Sequence, residues 1–173
     1  MSTRISSESV RTVVIGLGNP LMADDGLGLA ALERLREEWV CPPEVALVDG
    51  GTWGMSLLPV IEDAAQVILL DAIRTGAAPG TLQVMEREAL PRYLSAKLSP
   101  HQVDLRDVLA LAELRGTLPR DIVAIGLEPL HVELSSELSN VLRDRLDDVV
   151  AAALARLADW GYAPQPVREP SHA

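Results

Sequence analysis

A chain of 173 residues, 48% of them hydrophobic, is long enough to bury one sizeable core and too short for two full domains. Its 25 acidic and 15 basic residues leave a formal charge of −10, which argues against the clustered Lys and Arg that phosphate backbones and anionic lipid surfaces require. No nucleic-acid or membrane partner is therefore expected. Only 3% of the residues are aromatic and none is Phe, so Leu, Val, Ile and Ala must fill the core.

The first ten residues, M-S-T-R-I-S-S-E-S-V, are polar and lack the apolar stretch of a signal peptide, and no apolar run is long enough to span a bilayer. A cytoplasmic location is expected. The first strand is predicted over 11–16, R-T-V-V-I-G, and leads into the turn G-L-G-N-P-L-M-A-D-D-G-L-G at 16–28. A helix follows over 26–40, with Leu27, Ala30, Ala31, Leu35 and Trp39 on one stripe. The loop C-P-P holds Cys41, the only cysteine, which rules out an intrachain disulfide and a Cys-rich zinc site.

Strands are expected at 44–49 and 66–71, separated by a short helical segment over 54–64. Pro79-Gly80 then turns the chain into an extra antiparallel edge strand at 81–86. A helix over 101–114 carries Val103, Leu105, Val108, Leu109 and Ala112, and a strand at 121–126 ends in G-L-E-P. One last helix is predicted over 135–160, and the Pro-rich stretch 163–173 reads as a disordered tail. Runs that are apolar on both faces are parallel strands buried between helices. The architecture is thus a single α/β domain over 1–162, a three-layer sandwich whose mostly parallel twisted sheet has about five strands and helices on both faces, as in phosphorylase/hydrolase-like folds.

In such a sheet ligands bind beyond the carboxyl ends of the strands. Acids gather there: Asp24 and Asp25 after the first strand, Asp49 at the end of the second, Asp71 at the end of the third and Glu128 after the fourth parallel strand. Gly16-Leu-Gly18 with Asp49 partly imitates a dinucleotide fingerprint, but Leu21 replaces the third glycine and two aspartates would repel a pyrophosphate. Gly54-Met-Ser56-Leu-Leu58 lacks the closing glycine of a serine-hydrolase elbow. His131 lies after Glu128-Pro129 and His172 in the tail, both of them bland settings, and His101 alone would be a capping or partly exposed histidine. Together with Asp25 and Asp71, however, His101 makes an O,O,N set suited to a divalent transition metal. Asp24 is either the cap of the following helix or a nearby base.

Four motifs in this order, Gly18-Asn19-x4-Asp24-Asp25-Gly26-x-Gly28, Asp49-Gly50-Gly51-Thr52-x-Gly54, Asp71-Ala72 and Ser99-Pro100-His101-Gln102, resemble the [NiFe]-hydrogenase maturation endopeptidases. The likeness runs from about Val13 to Glu128. It implies that Asp25, Asp71 and His101 bind nickel carried by a hydrogenase large-subunit precursor, or another divalent metal in vitro. It further implies that the chain, expected to act as a monomer, removes the precursor's C-terminal extension once nickel is inserted. A non-enzymatic nickel-binding chaperone is the alternative from another class. Peptidyl-tRNA hydrolases share the opening G-L-G-N-P, but the T-R-H-N segment with their catalytic histidine is absent and the charge disfavours tRNA.

Overall fold

The computed structural model describes residues 10–51, 54–95 and 100–167, with only the backbone described over 100–104. Its central sheet has five strands in the order β3-β1-β4-β6-β5. The parallel members are β1 (Thr12–Leu17), β3 (Val45–Gly51), β4 (Gln66–Ala72) and β6 (Asp121–Leu127). The edge strand β5 (Leu82–Met85) runs antiparallel to β6, as the short link from β4 requires.

All six residues of β1 are buried because helices cover both faces of the sheet. Val13, Ile15, Val67, Leu69, Ile122 and Ala124 face α2 (Leu58–Asp63), α3 (Leu90–Ser95) and α4 (Pro100–Leu114). Their neighbours Val14, Ile68, Leu70, Val123 and Ile125 face α1 (Leu27–Glu38), α5 (Asn140–Asp144) and α6 (Leu146–Asp159). The period-2 alternation of the strands thus feeds two separate cores, in which each fully buried Leu or Ile contributes about 1.5–3 kcal/mol.

Three elements differ from the sequence expectation. The first helix stops at Glu38, and Trp39–Val40 form a short strand, β2. The last helix does not start at Ser135. Residues 128–139 are irregular, and Ser139 starts α5 by accepting a hydrogen bond from the N–H of Leu142 at 3.4 Å. The predicted tail is also held at its start: Gln165–Pro166 form β7, antiparallel to β2, and the Val167 N–H donates to the Glu38 carbonyl at 2.8 Å. Residues 168–173, with His172, lie outside the described residues.

Truncation should separate the two parts of this segment. A chain ending at Val167 keeps the β2–β7 ladder and is expected to melt like the full chain. A chain ending at Tyr162 loses it and should melt a few degrees lower, a shift of about 1 kcal/mol measurable by thermal denaturation.

The order β3-β1-β4 places the switch in strand order beside β1: the chain leaves β1 for β3 on one side and returns to β4 on the other. The crevice beyond the carboxyl ends of β1 and β4 is where a ligand belongs.

Candidate active site

Leu17 ends β1, and the chain turns back through a 3-10 turn over Ala23–Gly26 that packs against β4. Gly18 makes this return feasible. Its φ is +113°, and a Cβ there would lie 1.8 Å from the Asp25 carbonyl oxygen. The carboxylate of Asp25 is 3% exposed and accepts the Asn19 N–H at 2.9 Å.

Asp71 comes from the end of β4 and is 1% exposed. Its Oδ2 accepts the phenolic O–H of Tyr93, from α3, at 2.6 Å. Burial pushes the Tyr93 hydroxyl well above its usual range, reinforced by the charge of Asp71, the hydrogen bond to it and the charge of Asp25. The hydroxyl therefore remains a proton donor to Asp71 at neutral pH. Asp25 lies in the turn that packs against β4 and Asp71 at the end of β4, so both stand at the carboxyl edge of the sheet.

The expected third ligand, His101, sits in the first turn of α4, which packs against α3; its side chain, like Thr52 and Ser99, lies outside the described residues. Among the described residues no group of three His, Cys, Asp or Glu side chains is close enough to hold a metal. The aspartate pair itself fits a cation. Carboxylate oxygens are donors that a divalent cation accepts, and Asp25 and Asp71 are both buried at this edge of the sheet.

Asp24 does not do what the sequence suggests. It caps no helix and is fully buried, 0% exposed. Its carboxylate accepts the N–H of Leu130 at 2.9 Å, of His131 at 3.3 Å and of Ser139 at 2.7 Å, together with the Ser139 hydroxyl at 2.9 Å. With four donors around it, Asp24 is a clamp between the turn and segment 128–139, and its carboxylate is committed to that task instead of proton transfer. Asp24→Ala would strand these donors in the interior and should destabilise the fold by about 3 kcal/mol, seen as an earlier urea midpoint with an unchanged slope.

The remaining acids of the ring separate. Asp49 is exposed on the edge strand β3. Glu128 is buried and accepts from the N–H of Thr75 at 2.7 Å, its hydroxyl at 3.0 Å and the N–H of Gly76 at 3.2 Å, which fixes the loop after β4. Cys41 is partly buried, and burial pushes its thiol up, away from the thiolate a nucleophile needs. The residue that sequence reasoning missed is Tyr93. Its one signal was a tyrosine just ahead of the S-P-H-Q motif in a chain with only two tyrosines.

A mostly parallel sheet covered by helices on both faces, with two buried aspartates at the carboxyl edge beside its switch point, defines an α/β domain with an acidic site. Residues 29–156 match the model of the hydrogenase maturation protease family, a span that holds Asp71 and His101 and begins just after Asp25. The chain is 39% identical to the hydrogenase expression/formation protein HoxM of Cupriavidus necator over 156 residues, 89% of this chain and 77% of that protein. Its fold is similar to that of the hydrogenase maturating endopeptidase HybD of Escherichia coli, with a TM-score of 0.87, 32% identity and coverage of 90% of this chain and 97% of that one. It is also similar to the [NiFe] hydrogenase maturation protease HybD of Thermococcus kodakarensis, with a TM-score of 0.69, 29% identity and coverage of 86% and 99%. The chain belongs to the hydrogenase maturation protease family and is a peptidase.

Proposed function

We propose that this peptidase removes the C-terminal extension of a [NiFe]-hydrogenase large-subunit precursor after nickel insertion, and that Asp25, Asp71 and His101 recognise the nickel the precursor carries. The observation that supports this most is that two buried aspartates, Asp25 in the turn after β1 and Asp71 at the end of β4, stand at the carboxyl edge of the sheet beside its switch point. Two carboxylate oxygens and one imidazole suit a borderline metal that arrives with ligands of its own.

On this reading the nickel is part of the substrate and supplies an anchor and a positive charge beside the scissile bond. The chain's own residues do the rest. The Asn19 N–H and the Tyr93 O–H orient the two carboxylates, Gly18 lets the turn approach, and the clamp at Asp24 keeps that turn in place. Binding energy at the anchor then positions the peptide for attack by water.

No helix among the described residues is long and apolar enough to cross a membrane, and the reading places the reaction in the cytoplasm with the chain acting as a monomer. The test is precursor with and without nickel, each incubated with wild type and with His101→Ala. Only the wild type with loaded precursor should give the shortened product. Cleavage of nickel-free precursor by the wild type would overturn recognition through the metal.

A further inference from the structure

Segment 130–134, L-H-V-E-L, alternates apolar and polar residues and yet belongs to no strand. His131 Nε2 and Glu133 Oε1 meet at 3.2 Å, a contact across two residues that puts both on one side. Leu130, Val132 and Leu134 are 50%, 40% and 85% exposed, with Leu21 of the active-site turn 59% exposed. Isolated exposed aliphatic residues are ordinary; several gathered on one short segment are not.

Both ends of the segment are fixed to the turn that carries Asp25. The N–H groups of Leu130 and His131 donate to Asp24, the Ser135 N–H donates to the Leu21 carbonyl at 3.0 Å, and the Ala23 N–H donates to the Ser135 carbonyl at 2.8 Å. Met22 and Ser135 thus form a parallel bridge. Between these anchors, no backbone hydrogen bond is made by Val132, Glu133 or Leu134 among the described residues. A short stretch of unpaired backbone flanked by exposed aliphatic side chains therefore runs out from the turn that carries Asp25.

We propose that residues 130–134, with Leu21 beside them, bind the substrate polypeptide next to the scissile bond. An extended stretch of that polypeptide pairs with the Val132–Leu134 backbone and lays alternate apolar side chains against Leu130, Val132 and Leu134. Three observations favour this occupant. The chain is an endopeptidase, so a polypeptide must lie across its site. The strip is continuous through two backbone hydrogen bonds with the turn carrying Asp25. The formal charge of −10 favours a neutral or basic partner over another copy of this acidic chain. Pairing of a peptide with an open edge gives affinity through the main chain and selectivity through alternate side chains.

The inference rests on the precursor reading, and the experiment keeps the two apart. Two variants are compared with the wild type: the double substitution Leu130→Ser with Leu134→Ser, which removes exposed aliphatic side chains, and Glu133→Pro, which removes a backbone donor. Cleavage kinetics are measured on nickel-loaded precursor, and binding to the same precursor is measured by surface plasmon resonance. Zinc binding to the free enzyme reports on the metal site, and circular dichroism reports on the fold. Both variants should raise KM and Kd for the precursor about tenfold, leaving kcat and zinc affinity within twofold of wild type. Unchanged KM and Kd in both variants would overturn the inference, as would conversion of a wild-type dimer to monomer with no change in precursor binding, which would make the occupant a second copy. If the wild type binds loaded precursor through the strip but never cleaves it, the strip stands and the proposed reaction falls.

Discussion

Asp25→Ala, Asp71→Ala and His101→Ala are each expected to reduce precursor processing by at least about a thousandfold while leaving the chain folded at the assay temperature. Loss of activity follows from the proposed anchor: with one ligand missing, the metal-borne scissile bond is no longer held within reach, and misplacement by a single ångström can cost about a hundredfold. The stability half follows from burial. Asp25 and Asp71 are buried, and their replacement loses the bond from the Asn19 N–H or from the Tyr93 hydroxyl, a cost of about 1–3 kcal/mol that leaves the chain folded. Melting curves and a processing gel on the same preparations test both halves. A variant that melts far below wild type would show that its carboxylate holds the fold together, and near-normal cleavage by any one of the three would remove that residue from the metal site.

Gly126→Ala should be the most damaging change outside the ligands. Gly126 in β6 stands opposite Asp71 in β4, and a Cβ there would meet the Asp71 carbonyl oxygen at 1.6 Å and its carbonyl carbon at 2.8 Å. Neither is the tip of a flexible side chain, so the two strands must separate just where Asp71 turns into the crevice. Overpacking of this kind costs about 3 kcal/mol, and here it also displaces a ligand. Urea denaturation should show the loss of stability, and zinc binding should weaken even at temperatures where the variant remains folded. Wild-type zinc affinity in this variant would mean that the strands adjust without moving Asp71.

The sheet was readable because buried parallel strands write themselves as short β-branched runs ending in Gly or Asp, and all four parallel strands and the antiparallel edge strand lie where those runs fall. The helix over 135–160 was drawn too long because Ser135 to Leu138 continue its composition without its hydrogen bonds; only the bond from the Leu142 N–H to the Ser139 hydroxyl reveals where the helical stretch begins. Asp25 and Asp71 were readable from their place at strand ends and from the linked motifs. Tyr93 and the clamp at Asp24 were not. Both depend on contacts between distant residues, 22 positions apart for Tyr93 and Asp71 and 115 for Asp24 and Ser139, and no local pattern records such pairs.

The clamp has a consequence for the newborn chain. The turn bearing Asp25 emerges early from the ribosome, but the groups that secure it lie 106, 107 and 115 residues further along. At typical synthesis rates of about 5–20 residues per second, the last of them follows after roughly 6–23 s. Until Leu130 is made the Asp24 carboxylate has none of its four donors, and until Ser139 is made it lacks two of them. The turn bearing Asp25 is therefore fully secured only when most of the polypeptide has been translated.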